Sequence, residues 1–128
     1  MAEQIGEFSL THAGSTYAVT PDGEIANYAN FSGTATGFGA VFGTLKTQNP
    51  LSDMGARSGT CTWVGQAFLD DGTTLGGSGQ GTWEQIGDDG HKWSVTMDVD
   101  ISDGSKHHSV GEIDLATLGF TGKIYLAD

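Results

Sequence analysis

The chain has 128 residues, of which 37% are hydrophobic, and this predicts one domain over residues 1–128 with a single core. Its 16 acidic and 5 basic residues give a formal net charge of -11, so nucleic acid and anionic membranes are not expected as partners, because phosphates bind Lys and Arg. The 21 glycines follow no triplet repeat, which excludes collagen and favours the bends of a small barrel.

Targeting and membrane signals are not seen in the chain. No apolar run of 18 residues occurs, so no membrane span is expected. The first residues, MAEQIGEF, lack the basic start and apolar run of a signal peptide. The one cysteine, Cys61, excludes an internal disulfide. These features predict a cytoplasmic protein.

Alternation of apolar and polar residues, which a strand converts into two faces, organises most of the chain. It predicts strands over residues 5–12, 16–20, 24–32, 34–47, 57–69, 73–86, 91–102, 106–115 and 120–126. Turns rich in Gly, Asp and Ser are predicted at 13–15, 21–23, 70–72, 87–90 and 102–104. The segment 24–32 also fits a short helix, and residues 48–56 are predicted to form a loop over a barrel mouth.

The clearest strand is HKWSVTMDVDIS, residues 91–102. Its apolar positions are Trp93, Val95, Met97, Val99 and Ile101, and its other positions are polar. The strand at 34–47 differs, because both of its faces are apolar or small. One face is expected to look into a barrel and the other into a second subunit, so a homo-oligomer is a possible assembly.

Short turns between successive strands predict antiparallel neighbours, and hence an up-and-down meander. About eight strands with one apolar face can close on themselves and so remove both sheet edges. The predicted fold is therefore all-β, a single antiparallel up-and-down eight-stranded β-barrel. A β-sandwich of two sheets is the alternative.

Aromatic side chains fall on the apolar faces of several strands. They predict either a filled core or a cavity for a small hydrophobic molecule, and glycines at 77, 79 and 81 beside Trp83 favour unfilled volume. His12 has the parity of Phe8 and is expected near a barrel end, and Cys61 is expected to be a buried small hydrophobe. The predicted substrate-binding residues are Phe8, His12, Phe42, Cys61, Trp63, Trp83, Trp93 and Met97.

Two adjacent histidines are the candidates for acid/base chemistry. His107 and His108 lie on one predicted strand, so one points inward and the other outward. A bulge at Gly111 would switch the parity, and the pattern leaves both assignments open. A buried imidazole beside a carboxylate such as Glu112 transfers protons near neutral pH. The predicted catalytic residues are therefore His107, His108 and Glu112.

No metal or cofactor is expected. The histidines show no H-x-H or H-x-x-x-H spacing, and the acidic turns lack the further ligands of a calcium loop. The glycine-rich runs GFGAVFG and GGSGQG are not followed by the Lys-Ser/Thr of a phosphate loop.

The run SGTATGFGAVFG in the first half, together with Ser102-Asp103-Gly104 followed by Gly111, resembles the allene oxide cyclase-like small barrels. The resemblance lies in the chain length, the spacing of the predicted strands and the positions of the glycines. It implies an open-mouthed barrel that holds a hydrophobic substrate in a reactive shape, and it implies oligomers.

The sequence thus predicts an isomerase, cyclase or lyase that acts on a small hydrophobic molecule inside the barrel, with proton transfer by a pocket histidine. A non-catalytic carrier of such a ligand is the alternative, and a structural module with a filled core is a third hypothesis. An ionisable side chain that points inward among the aromatics would favour the enzyme over the carrier.

Overall fold

The computed structural model describes residues 3–88 and 91–127, and it confirms the predicted fold class. Each strand pairs antiparallel with the next, and the last pairs with the first, so the sheet closes into an eight-stranded up-and-down barrel. The strands are β1 (Gln4–Val19), β2 (Glu24–Ala35), β3 (Gly39–Pro50), β4 (Ser58–Phe68), β5 (Thr74–Gln85), β6 (Lys92–Ile101), β7 (Lys106–Asp114) and β8 (Gly119–Leu126). The sandwich alternative is wrong because one sheet closes on itself.

β1 is longer than the sequence predicted. The turn expected at 13–15 is a β-bulge, where the register with β2 shifts between His12 and Gly14. Gly14 has a φ of 122°, which a side chain rarely allows. The chain therefore bends at this point without leaving the sheet, and the two short strands expected on either side are one strand.

The segment expected as one strand over 34–47 contains a turn at residues 36–38, and β3 begins only at Gly39. The same strand continues to Pro50, so the predicted loop is reduced to a short 3-10 helix, Leu51–Asp53, and its flanking residues. The helical alternative for 24–32 is wrong, since those residues pair with β1 and β3 along their whole length.

Three hairpins use the same turn, as the Asp-Gly pairs predicted. In each turn the glycine N–H donates to the carbonyl three residues before it, at 2.9 Å for Gly23, 3.0 Å for Gly72 and 2.9 Å for Gly104. The three glycines have φ of 83°, 92° and 93°, the left-handed region that favours glycine. Of the turn predicted at 87–90, residues 89 and 90 lie outside the described residues.

The inner face of β6 is the one that its alternation predicted. Val95 is 1% exposed and Met97 4%, and Trp93 and Val99 pack against the same core. The core residues form a layer across the middle of the barrel, called the middle layer below. It consists of Leu10, Phe31, Leu45, Cys61, Trp63, Trp83, Val95, Met97 and Phe120.

Phe42 was predicted to bind substrate inside the barrel, and this prediction is wrong. It is 52% exposed on the outer wall, because Val41 and Leu45 take the inward positions of β3. Its ring lies 5.9 Å from that of Phe68 in an edge-to-face contact. Val64, also exposed, is on the adjacent outer surface. The strand is thus apolar on both faces, and the homo-oligomer that this suggested stays a prediction.

The 3-10 helix is too short to cross a membrane, and the described ranges contain no other helix that is long and apolar enough to do so.

Candidate functional site

Two cavities lie at opposite ends of the barrel and are separated by the middle layer. The wide cavity has a volume of about 530 Å³ and lies at the end where β1 finishes and β2 begins. The narrow cavity has a volume of about 110 Å³ and lies at the end where β2 finishes and β3 begins. A volume of several hundred Å³ is typical of small-molecule sites, so the wide cavity is the larger candidate.

The wide cavity combines aromatic walls with many polar groups. Its aromatic surface includes Trp83, Trp93 and Phe31, and the 48–56 segment contributes Met54 and neighbouring residues at the mouth. Its polar side chains include His12, Ser15, Asn27, Thr47, Asn49 and Gln85. A mainly apolar enclosure with a few convergent polar groups is the usual chemistry of a ligand site.

Two residues of the cavity lining each carry a buried polar atom without a hydrogen-bond partner. Among the described residues, Nε1 of Trp83 and Oδ1 of Asn27 are the buried side-chain atoms without a hydrogen-bond partner, and both residues line the wide cavity. The indole N–H is a donor, and the amide oxygen is an acceptor. An unsatisfied buried polar group costs about 1–3 kcal/mol. Both atoms are covered by protein, and Nε1 of Trp83 lies against Gly59, so they are a local cost of the fold beside the cavity.

His12 lies on the wall of the wide cavity, as its parity with Phe8 suggested. Its Nε2 is 2.7 Å from Oγ of Ser15, and its ring meets the edge of Phe31 at 5.6 Å. The bulge in β1 brings this pair together, because it shifts the register between the two residues. An imidazole hydrogen-bonded to a hydroxyl is thereby placed at the cavity wall.

Leu118 lies at the mouth of the wide cavity in a strained backbone conformation. It has a φ of 61°, in the left-handed region, and it is the one non-glycine residue with positive φ among the described residues. It lines the wide cavity, and its side chain is 45% exposed. A bulky residue at this φ costs of order 1–2 kcal/mol, which places backbone strain beside the candidate site.

The narrow cavity is almost entirely apolar. Its walls are aromatic and aliphatic, and the ring of Phe38 reaches it from the β2–β3 turn. Of the polar side chains in its lining, His107 and Ser109 are each 9% exposed. Trp63, Met97 and Phe8, all predicted to be inward, line this cavity and not the wide one.

The open question of which histidine points inward is resolved by the register of β7. The strand pairs without a shift with both β6 and β8, so no bulge forms at Gly111. His107 is buried at the narrow cavity, and its ring lies 5.3 Å from that of Phe38. Burial lowers the pKa of His107, and the carboxylate of Asp103 opposes this effect more weakly.

His108 and Glu112 are corrections to the predicted acid/base set. His108 lies on the outer face of the barrel, where its Nδ1 is 2.8 Å from Oδ1 of Asp98. Glu112 is also exposed, since it shares the outward parity of His108. The barrel wall therefore separates both from His107, and the three residues do not form one site.

Cys61 lies in the middle layer, 3% exposed, and lines neither cavity. Burial raises the pKa of its thiol to about 11. It is therefore a protonated, small apolar residue near neutral pH, as expected, and its predicted contact with a ligand is not supported by this position.

Aromatic rings cover glycines on neighbouring strands, and this creates the shape of the cavities. The Trp63 indole lies over Gly43, where an added Cβ would be 2.1 Å from Cζ2. Trp83 lies over Gly59 in the same way, with Nε1 2.8 Å from such a Cβ. The two indoles thus pack against the wall at these glycines, where a side chain would displace them.

The polar groups that the sequence-based prediction missed are Asn27 and Ser15. Ile25, Asn27, Ala29 and Phe31 alternate along β2, and all four line the wide cavity. A polar residue at an otherwise apolar inward position was the available signal for Asn27. Ser15 gave no such signal, because its placement depends on the bulge.

Acidification is expected to destabilise the protein through His107. Folding lowers the pKa of His107, so the unfolded chain binds the proton more readily than the folded protein. The contribution of neutral His107 to the free energy of unfolding is therefore fully present above about pH 6.5 and is lost as the pH falls through the folded pKa. Urea unfolding at about pH 7.5 and about pH 5.5 measures this loss. His107→Gln is expected to lose less stability than the wild type over this interval, and an equal loss in both proteins would contradict this expectation.

Within the described residues, no cluster of three or more His, Cys, Asp or Glu side chains is placed to hold a metal ion. Comparisons of the chain with family models, with curated proteins and with solved structures found no match.

Proposed function

We propose that the protein binds a small, mainly hydrophobic molecule with at least one polar group in the wide cavity. The observation that carries this proposal is a cavity of about 530 Å³ whose lining combines the rings of Trp83 and Trp93 with the polar side chains of His12, Ser15 and Gln85. A filled core would not leave this volume. The ligand supplies apolar surface to the tryptophans and a hydrogen-bonding group to the polar side chains.

Binding without chemistry is the function favoured here over an isomerase, cyclase or lyase. His107 does point inward among aromatic rings, the feature expected of an enzyme, but it lines the narrow cavity and not the wide one. The support for binding without chemistry is this distance from the wide cavity, together with the exposure of Glu112 on the outer face. A reaction in the wide cavity is the second candidate, and the hydrogen bond between His12 and Ser15 favours it. The resemblance to allene oxide cyclase-like barrels stays a prediction.

The test is a fluorescence titration with the hydrophobic probe ANS. We expect saturable binding of about one probe per chain, with quenching of Trp83 and Trp93, because aromatic walls and an apolar volume bind such probes. Ala29→Phe, which places a ring in the wide cavity, is expected to weaken binding by about tenfold or more.

The matched control is Ala35→Phe. Ala29 and Ala35 lie on the same strand, but Ala35 lines the narrow cavity. This control is expected to bind ANS as the wild type does. Absence of saturable binding, or equal binding by both variants, would overturn the proposal.

A further inference from the structure

We propose that the narrow cavity is a second, separate binding site, for a neutral single-ring molecule that carries one hydroxyl group and bonds His107 through it. This inference does not depend on occupancy of the wide cavity, because the middle layer lies between the two. Phenol is the simplest member of this ligand class.

The size of the cavity selects a single ring. Its volume of about 110 Å³ is comparable with an engineered apolar cavity of about 150 Å³ that binds benzene. The walls include Leu10, Trp63, Phe120 and Ile124, which offer an apolar and aromatic surface to such a ring. Apolar walls of this kind favour an apolar molecule over water, because water gains few hydrogen bonds from them.

The polar end of the ligand is selected by His107 and Ser109. Both are nine-tenths buried and line the cavity, and neither takes part in the side-chain hydrogen bonds found among the described residues. A neutral imidazole has one donor and one acceptor nitrogen, and a hydroxyl group both donates and accepts. One ligand hydroxyl can therefore pair with the imidazole, which makes none of those side-chain hydrogen bonds.

Electrostatics favour a neutral ligand over a carboxylate. Burial lowers the pKa of His107, so the imidazole is uncharged near neutral pH. The carboxylate of Asp103, in the turn before β7, lies close enough to His107 to affect its titration. An anionic ligand would be repelled by this negative charge, whereas a neutral hydroxyl group would not.

Access to the site is expected past Phe38. Its ring packs against His107 at a centroid distance of 5.3 Å, and it stands between Gly37 and Gly39. Their φ values of 78° and 69° are both left-handed, so the turn that holds Phe38 depends on two glycines. The half-buried ring of Phe38 therefore forms part of the entrance to the narrow cavity.

The test is isothermal titration calorimetry with phenol and with toluene, which have nearly the same shape and differ in the hydroxyl group. We expect the wild type to bind phenol about tenfold more tightly than toluene, which is the value of about one hydrogen bond. In His107→Leu this preference is expected to disappear while toluene still binds. Equal affinity for the two molecules in the wild type would overturn the proposal, as would tighter binding of benzoate than of phenol.

Two further variants distinguish this site from the wide cavity. Ala35→Phe fills the narrow cavity with His107 intact, and it is expected to abolish phenol binding. It therefore tests the site even if His107→Leu does not fold. Ala29→Phe places a ring in the wide cavity and is expected to leave phenol binding unchanged. Loss of phenol binding in Ala29→Phe, with retention in Ala35→Phe, would assign the phenol to the wide cavity and refute a second site.

Discussion

Phe120→Ala is expected to lower the free energy of unfolding by about 3–5 kcal/mol, the range for removal of a buried Phe. The side chain is 2% exposed and lies in the middle layer. Its ring meets those of Phe8 at 5.0 Å, Phe31 at 5.2 Å and Trp63 at 6.4 Å, all edge-to-face. The surrounding rings belong to three other strands that are held by closed ladders, so they cannot collapse into the void.

Urea denaturation of both proteins measures the effect, and Phe42→Ala is the matched control. It removes the same side chain from the outer wall, where Phe42 is 52% exposed, so a loss of less than about 1.5 kcal/mol is expected. Equal losses of unfolding free energy in the two variants would show that Phe120 contributes no more to stability than an exposed phenylalanine.

Gly81→Ala is expected to destabilise the barrel by about 3 kcal/mol or more, because the new methyl group meets backbone and not a movable side chain. An added Cβ at Gly81 would lie 1.8 Å from the carbonyl oxygen of Thr96 and 2.8 Å from Cα of Met97. Both atoms belong to β6, which pairs with β5 at this position, so relief requires separation of the two strands.

Gly76→Ala, on the same strand, is the control for this second prediction. The nearest atom to its added Cβ is the carbonyl oxygen of Gly65 at 4.0 Å, an ordinary contact. The free energy of unfolding is expected to change by less than about 1 kcal/mol, in either direction. The methyl group causes no clash in the folded protein, and alanine lowers the conformational entropy of the unfolded chain. Similar unfolding midpoints for the two variants would contradict the close approach of β5 and β6 at Gly81.

The fold was predictable from the sequence because its signals are local. Strict alternation in β6 identified the buried face that contains Val95 and Met97, and the Asp-Gly turns identified hairpins. The bulge in β1 was missed, because Ala13-Gly14-Ser15 has the composition of a turn and a bulge needs only one residue with positive φ.

The candidate site was less predictable, because it depends on parity and on distance across the barrel. Both parities of β7 carry apolar and polar residues, so only the observed register places His107 inside and His108 outside. Phe42 was placed wrongly because both faces of its strand are apolar. The two cavities could not be inferred, since the sequence does not tell which rings pack against glycines on neighbouring strands.

The closure of the sheet between β1 and β8 has a consequence for how the chain folds. The other neighbouring strands are consecutive in the chain and can form as hairpins within microseconds, whereas β1 and β8 must meet from opposite ends of it. A chain with this seam open exposes two unpaired strand edges, which are templates for association with other chains. Phe8 and Phe120 pack together where β1 meets β8, so their contact affects how long the two edges stay unpaired. The net charge of -11 makes chains with unpaired edges repel one another during this time.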